Sequence, residues 1–131
     1  MTAAIRDGLV VRHGRPLLVY HGTRRRFERF SLSWAEPGEE GIFFTPRLAY
    51  ARRFAGAEGR VIAAHLLATN PYEVTALQWA NGEGLSLLEA RAAGHDMYVV
   101  RPYPDGTMWI VFDDSQVRVL SHDIDRAPLA A

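Results

Sequence analysis

The sequence contains no cysteine and no lysine, and both absences limit what the chain can do. Without cysteine there are no disulfides, no thiolate zinc sites and no cysteine nucleophile. All 15 basic residues are arginine. This bias is typical of a GC-rich genome. It also suits phosphate recognition, because the planar guanidinium group binds oxyanions at two points.

A net charge and a long hydrophobic run are also missing. The formal charge is zero, so no overall field attracts nucleic acid or a membrane surface. No apolar run approaches the roughly 20 residues that a membrane span requires. The first residues lack the charged-then-apolar pattern of a signal peptide. We therefore expect a soluble protein without a membrane partner, either cytoplasmic or delivered into a target cell by a carrier.

The common nucleotide and metal motifs are absent as well. Neither GxGxxG nor GxxxxGK[ST] occurs, and the histidines show no ligand spacing such as HExxH. We therefore predict no metal site. What the chain does have is 131 residues, 48% of them hydrophobic, which is enough for one domain with a buried core. We predict a single domain over residues 1–131.

The pattern of apolar segments predicts a strand-rich chain with two short helices in its middle. A long loop is predicted over residues 24–40, anchored by Phe27, Phe30 and Trp34, and a turn over residues 102–106. One helix is predicted from Pro46 to residue 55 with Thr45 as its cap, and another over residues 85–93. Strands are predicted at residues 9–11, 17–20, 41–45, 61–67, 98–100, 107–112 and 117–120. This order favours an α+β sheet domain with flanking helices over a doubly wound fold.

The first segment with chemical potential is Tyr20-His21-Gly22-Thr23, predicted at the end of a strand. A histidine ring nitrogen can donate or accept a hydrogen bond, and Gly22 lets the backbone come close to a ligand. Exposed backbone groups there could hold a planar carboxamide. The same residues also fit a strand-end histidine and a turn glycine without any ligand.

The second segment supplies aromatic rings. Phe43 and Phe44 lie in the Gly41–Thr45 strand, and Phe54 follows one helix later. Phe43 and Phe54 could enclose a flat ring between them, since offset stacking contributes about 0.5–1.5 kcal/mol beyond burial. Each phenylalanine could equally be an ordinary core residue.

The third segment is TMWIVFDDSQV, which begins at Thr107. The HGT strand, the GIFFT strand leading into an alanine-rich helix, and this late strand together resemble the ADP-ribosyltransferase superfamily. The resemblance is to the poly-ADP-ribose-polymerase type and to short relatives in phage and interbacterial toxins, and it covers residues 18–120. It implies a split antiparallel β-sheet core with short flanking helices, and NAD as the substrate.

The resemblance also assigns residues to the family's His-Tyr-Glu signature. It implies that His21 bonds a ribose of NAD and that the Gly22 backbone holds the nicotinamide carboxamide. Phe43 takes the place of the tyrosine that stacks on nicotinamide, and Phe54 supplies a second ring. Ala51 stands where polymerase-type members carry a small hydroxyl residue, so that contact is expected to be missing.

The signature glutamate falls on Met108, which cannot stabilise the positive charge of an oxocarbenium-like state. Three explanations stay open. In the first, the domain uses help from its target, as family members without this glutamate do. In the second, another acid substitutes: Asp105, Glu40 or Asp113. In the third, binding survives without catalysis. For Asp113, with Asp114, we favour a turn-capping role, and for Gln116 a structural one.

The arginines Arg24, Arg25 and Arg26 directly follow HGT. They could contact the NAD pyrophosphate or the phosphates of a nucleic-acid target, or form a solvated charged loop. We count Thr23 and Arg24 among the candidate NAD contacts, with His21.

Two functions therefore stand against each other. The first is a mono-ADP-ribosyltransferase that modifies a protein or nucleic acid. The short relatives imply a toxin or effector setting for it, in which an immunity protein could be a partner. The second is a degenerate fold that binds NAD, ADP-ribose or a partner protein without turnover. A tRNA 2′-phosphotransferase also uses HGT and NAD, but we find no second histidine–arginine set of the kind that family needs.

Overall fold

The computed structural model describes residues 3–24, 27, 29–31, 40–101 and 107–126. In these ranges the strands are β1 (Ala4–Arg6), β2 (Leu9–Arg12), β3 (Arg15–Pro16), β4 (Val19–Thr23), β5 (Ile42–Phe44), β6 (Arg60–Leu66), β7 (Pro71–Val74), β8 (Met97–Val100), β9 (Met108–Val111) and β10 (Val117–Ser121). The helices are α1 (Leu48–Ala55), α2 (Ala76–Asn81) and α3 (Leu87–Ala92), with a 3₁₀ turn at Asp114–Gln116. Trp34 and the predicted turn over residues 102–106 lie outside the described residues.

The strands form three small sheets, with the orders β1-β2-β3, β10-β6-β4 and β5-β9-β8-β7. Neighbouring strands pair antiparallel except for β7 and β8, which run parallel. Short helices connect them. This α+β architecture confirms the predicted split-sheet fold class.

Among the described residues, one isolated backbone bridge joins the second and third sheets. The Tyr20 amide donates to the Thr45 carbonyl at 2.7 Å, and the Thr45 amide donates back to the Tyr20 carbonyl at 3.0 Å. Beyond this bridge β4 and β5 belong to different sheets. The split leaves a cleft between the two strands, and α1 follows directly after β5.

The main core lies between these two sheets. Ile62 and Leu66 of β6 share a buried cluster with Trp109 and Val111 of β9. The alternate β9 residue Ile110 belongs to a second cluster with Leu87 and Ala90 around α3. Because successive residues of a strand point to opposite faces, β9 is buried on both sides, which explains its continuously apolar sequence. Full burial of each large aliphatic side chain contributes about 1.5–3 kcal/mol.

Helix α1 differs from the prediction in where it begins. Its first residue is Leu48, and Arg47 occupies the N-cap position without a side-chain cap. The Thr45 hydroxyl accepts from the Arg47 amide at 3.1 Å, so it stabilises the turn before the helix and not the helix itself. One face of the helix packs into the protein, since Ala51 and Ala55 are buried.

The sequence pattern did not predict β1, β3, α2 or β7. Pro71 begins β7 on the edge of its sheet, where a residue without an N–H is tolerated. Helix α2 begins with a capping box in which Thr75 and Gln78 bond each other's backbone amides. Ser86 and Glu89 form the same motif before α3, which therefore begins at Leu87, two residues later than predicted.

Candidate active site

A cavity of about 470 Å³ opens at the split between the sheets. That volume lies within the usual range for small-molecule sites. Most of the predicted site residues line it: His21, Gly22, Phe43, Phe44, Phe54 and Met108. The three sequence segments that suggested a site therefore converge on one cleft.

His21 lies in the middle of β4, not at the end of a strand as predicted, because the strand continues to Thr23. Its Nδ1 atom is 2.7 Å from the carbonyl oxygen of Phe43 in β5. A carbonyl only accepts, so Nδ1 carries the proton. In the neutral ring Nε2 is then a hydrogen-bond acceptor.

Aromatic rings surround the His21 side chain. Phe30 lies edge-on at 5.2 Å between ring centroids, Phe44 at 5.4 Å and Phe27 at 6.4 Å. Burial lowers the pKa of His21 most strongly, the hydrogen bond to Phe43 raises it, and the positive charge of Arg60 lowers it. The net direction is downward, so the ring is neutral at pH 7. The predicted anchoring of the 24–40 segment by Phe27 and Phe30 is confirmed, since both pack on the main core.

Gly22 makes room for helix α1. A Cβ atom at this position would overlap the carbonyl oxygen of Ala51 and approach the amide of Ala55. Gly22 was predicted to let the backbone approach a ligand. It does line the cleft, but its lack of a side chain is required first by the packing of α1 on β4.

The two predicted rings occupy different environments in the cleft. Phe43 is partly buried and meets Trp79 in an edge-on contact at 6.5 Å between centroids. Phe54 is 60% exposed and contacts Tyr50 at 5.2 Å. One ring therefore belongs to a fixed wall of the cleft, while the other lies at its solvent side.

Trp79 and Tyr50 also line the cleft and were not predicted as site residues. The capping box at Thr75 and Gln78 was a readable signal for α2, the helix that carries Trp79. Tyr50 precedes Phe54 by four residues, the spacing that places two side chains on one helix face. Neither signal identifies a ligand contact until the two sheets are placed.

Met108 lines the cleft at the start of β9 and is only 8% exposed. It packs in the cluster around α3 and pairs with Val100 across the sheet. The wall where the resemblance places a glutamate is therefore apolar.

The candidate substitute acids lie in unlike places. Asp113 accepts hydrogen bonds from the amide and hydroxyl of Ser115, which lower its pKa, so it caps the 3₁₀ turn as predicted. The Gln116 side chain accepts from the amides of Phe112 and Asp113, which confirms its structural role. Asp105 lies outside the described residues.

Glu40 is connected to the cleft through a neighbouring cavity, which Asp113 does not line. It lines a second cavity of about 480 Å³, which shares Trp79 with the first cavity. The next residue, Gly41, lines the first cavity itself. Among the described candidate acids, Glu40 is therefore the one at the border of the cleft.

Two of the candidate NAD contacts are placed differently. Thr23 is buried at the end of β4 opposite Arg60, and neither Thr23 nor Arg24 lines the cavity. The guanidinium group of Arg24 lies beside Gly56, after α1. Their role in NAD binding stays a prediction, and Arg25 and Arg26 lie outside the described residues.

In the described ranges, no group of three or more histidine, aspartate or glutamate side chains is arranged to hold a metal ion. None of the described helices has the length and apolar character needed to cross a membrane.

Comparison with known proteins agrees with the geometry. Residues 12–125 match the family described as "ADP-Ribosyltransferase in polyvalent proteins". A comparison with curated proteins gave no match. The matched range includes β4, β5, α1 and β9, which together form the cleft. The chain therefore belongs to this family of ADP-ribosyltransferases.

Proposed function

We propose that the chain is an NAD-dependent mono-ADP-ribosyltransferase that uses the cleft between β4 and β5. The observation that carries this proposal is the fixed position of His21. Its Nδ1 atom donates to the Phe43 carbonyl, so Nε2 of the neutral ring is left as an acceptor, and His21 lines a cavity together with aromatic residues. A nucleoside with a flat, cationic base matches such a site, because the rings can stack on the base while the histidine accepts from a ribose hydroxyl.

In this proposal each residue has a separate role. His21 accepts a hydrogen bond from a ribose hydroxyl of NAD. Phe43 stacks on the nicotinamide ring, with Phe54 closing the solvent side. The Gly22 backbone holds the carboxamide. These contacts orient the ribose so that its C1′ atom faces the acceptor, which is the main contribution that positioning makes to such a reaction.

The reaction exchanges one bond at C1′ for another. The bond from C1′ to the pyridinium nitrogen breaks, and nicotinamide leaves with the electron pair. A nucleophile of the target forms the new bond to C1′ and loses its proton to solvent or to a base. Positive charge develops on the ribose between these events, and a nearby carboxylate would stabilise it. Glu40 is the described acid best placed for this role, at the border of the cleft.

A second candidate function is a binding module that holds NAD or ADP-ribose without turnover. Met108 favours it, because an apolar side chain lines the cleft where the resemblance implies the glutamate. Both candidates share the same ligand and differ only in whether nicotinamide is released.

The target is part of the proposal. A protein or a nucleic acid would accept the ADP-ribose, and the likeness to short toxin relatives suggests a toxin or effector that an immunity protein restrains. Co-expression toxicity that disappears with His21→Ala would support this setting.

Labelled NAD, incubated with the chain and a cell lysate, tests the transferase directly. Label should pass to protein, RNA or DNA, and His21→Ala should abolish the transfer. His65→Ala is the matched control, since His65 lies on β6 and does not line the cleft. Saturable NAD binding without nicotinamide release would select the binding module instead.

A further inference from the structure

We propose that Arg60 is a positioning residue for the proposed reaction, because it holds Phe27 against His21 and so fixes the ring that contacts the ribose. The inference rests on the proposed role of His21. It adds a residue that lies outside the segments resembling the family's signature and does not line the cleft.

Arg60 contacts Phe27 in two ways. Its Nη2 atom donates to the Phe27 carbonyl oxygen at 2.7 Å, and its guanidinium carbon lies 5.2 Å from the centre of the Phe27 ring. The Nη1 atom donates to the carbonyl of His122 at 3.2 Å, which ties the same guanidinium to the segment after β10. A planar guanidinium group that donates to two carbonyls and contacts one ring face has little freedom to move.

The neighbouring residue Phe30 is held from the other side. Its backbone amide donates to a carboxylate oxygen of Asp114 at 2.7 Å. The rings of Phe27 and Phe30 then contact each other at 4.9 Å between centroids, and both face His21. Arg60 and Asp114 therefore hold one aromatic pair at two points, 33 and 84 residues away in sequence from the groups they bind.

The pair of Phe27 and Phe30 restricts the motion of the His21 ring. The hydrogen bond to the Phe43 carbonyl fixes the orientation of the imidazole. The rings of Phe27, Phe30 and Phe44 enclose it. In the described part of the chain, Arg60 is the charged group that acts on the ring, and its charge disfavours a second proton. Arg60 thus supports the neutral tautomer that the ribose contact requires, both by packing and by charge.

Arg60→Met and Arg60→Lys separate these two effects. NMR titration gives the pKa and tautomer of His21, assigned with His21→Asn, and ring-to-ring NOEs report the Phe27 contact. Arg60→Met should raise the His21 pKa, remove the NOE and weaken NAD binding on the order of tenfold, as expected for a lost charged hydrogen bond. Arg60→Lys keeps the charge and should leave the pKa near that of the unmodified chain, with a smaller loss of NAD affinity.

Arg118→Met is the matched control, because Arg118 is an exposed arginine of the same sheet that acts on His65. It should change none of these readouts. If Arg60→Met fails to fold, Asp114→Ala loosens the same aromatic pair from its other anchor and should weaken NAD binding with loss of the Phe30-to-His21 NOE.

If Arg60→Met folds and its NOEs and NAD affinity are unchanged, the inference is overturned while the NAD site stays intact. If Arg60→Met does not fold, an unchanged NOE and an unchanged NAD affinity in Asp114→Ala overturn it in the same way. If the unmodified chain binds no NAD, the proposed function fails, and a shifted His21 titration and lost NOE would still show that Arg60 positions the ring.

Discussion

The His21 imidazole donates to the Phe43 carbonyl at 2.7 Å and thereby connects two strands that belong to different sheets. The bond spans 22 residues of sequence and lies beside the backbone bridge between Tyr20 and Thr45. His21 thus links the two sheets at their split and also lines the cleft. We expect His21 to affect both stability and ligand binding.

The first prediction concerns pH. The pKa of His21 is lowered in the folded chain, whereas the unfolded chain has the ordinary histidine value of about 6.5. Below about pH 6.5 His21 binds a proton in the unfolded state but not in the folded state. The free energy of unfolding should therefore decrease as the pH falls from about 6.5 toward the folded pKa. Above about 6.5 this contribution should be constant.

Chemical denaturation at a series of pH values measures the effect. His21→Gln removes the titrating group, so the slope of unfolding free energy against pH below about 6.5 should be smaller in this variant. His65→Gln should reduce the slope less, because burial and the charge of Arg118 also lower the pKa of His65 but its ring is less deeply buried than that of His21. Equal slopes for the unmodified chain and His21→Gln would show that His21 is not held neutral.

The second prediction concerns Gly22. Gly22→Ala places a methyl group into the Ala51 carbonyl and forces α1 away from β4. Overpacking of this kind costs about 1–3 kcal/mol or more, and the cleft should lose NAD affinity with it. Thermal unfolding and NAD titration measure the two effects.

Gly82→Ala is the comparison for Gly22→Ala. Gly82 has a φ of +68°, and nothing lies within 4 Å of its added Cβ, so only backbone strain of about 1 kcal/mol is expected. NAD affinity should not change. A Gly22→Ala variant no less stable than Gly82→Ala, with full NAD affinity, would mean that α1 can shift without cost.

The third prediction separates ligand stacking from core packing. Phe54 is 60% exposed at the cleft, so Phe54→Ala should change stability by only about 0.5 kcal/mol. NAD binding should weaken by about 0.5–1.5 kcal/mol if the ring stacks on the ligand. Leu120→Ala, at a 53% exposed position of β10, should affect neither property. Calorimetry with NAD decides, and equal affinities for the two variants would remove Phe54 from the site.

The fourth prediction tests Glu40 as the substitute acid. Glu40→Gln should leave NAD binding nearly unchanged and reduce nicotinamide release by about a hundredfold or more, as when a charge-stabilising group is removed. Glu83→Gln, at another acid of the same neighbouring cavity, should leave release unchanged. If Glu40→Gln releases nicotinamide at the original rate, the charge is stabilised by another group.

The sequence predicted much of the site because its motifs lie on continuous segments. The resemblance carried by these segments assigned His21, Phe43 and Phe54 to the site, and the structure brings all three to one cavity. The late strand was equally readable, since its apolar run is buried on both faces.

Features that depend on tertiary contacts could not be read in this way. The length of β4 follows from its pairing with β6, so the strand continues through His21 although Gly22 suggested a turn. The constraint on Gly22 comes from Ala51, 29 residues away. Trp79 lies on a six-residue helix, which is too short to show a clear helical period in the sequence. The hydrogen bond from Arg60 to Phe27 ends on a backbone carbonyl, and a contact of this kind cannot be predicted from the residue types.

The most direct test of the account is calorimetric titration of NAD into the unmodified chain and into His21→Ala and His65→Ala. We predict saturable binding to the unmodified chain, a loss of at least about tenfold in His21→Ala, as expected when a buried hydrogen bond to the ligand is removed, and no loss in His65→Ala. Equal binding by the His21 variant, or no binding by the unmodified chain at any NAD concentration, would contradict an NAD site at His21.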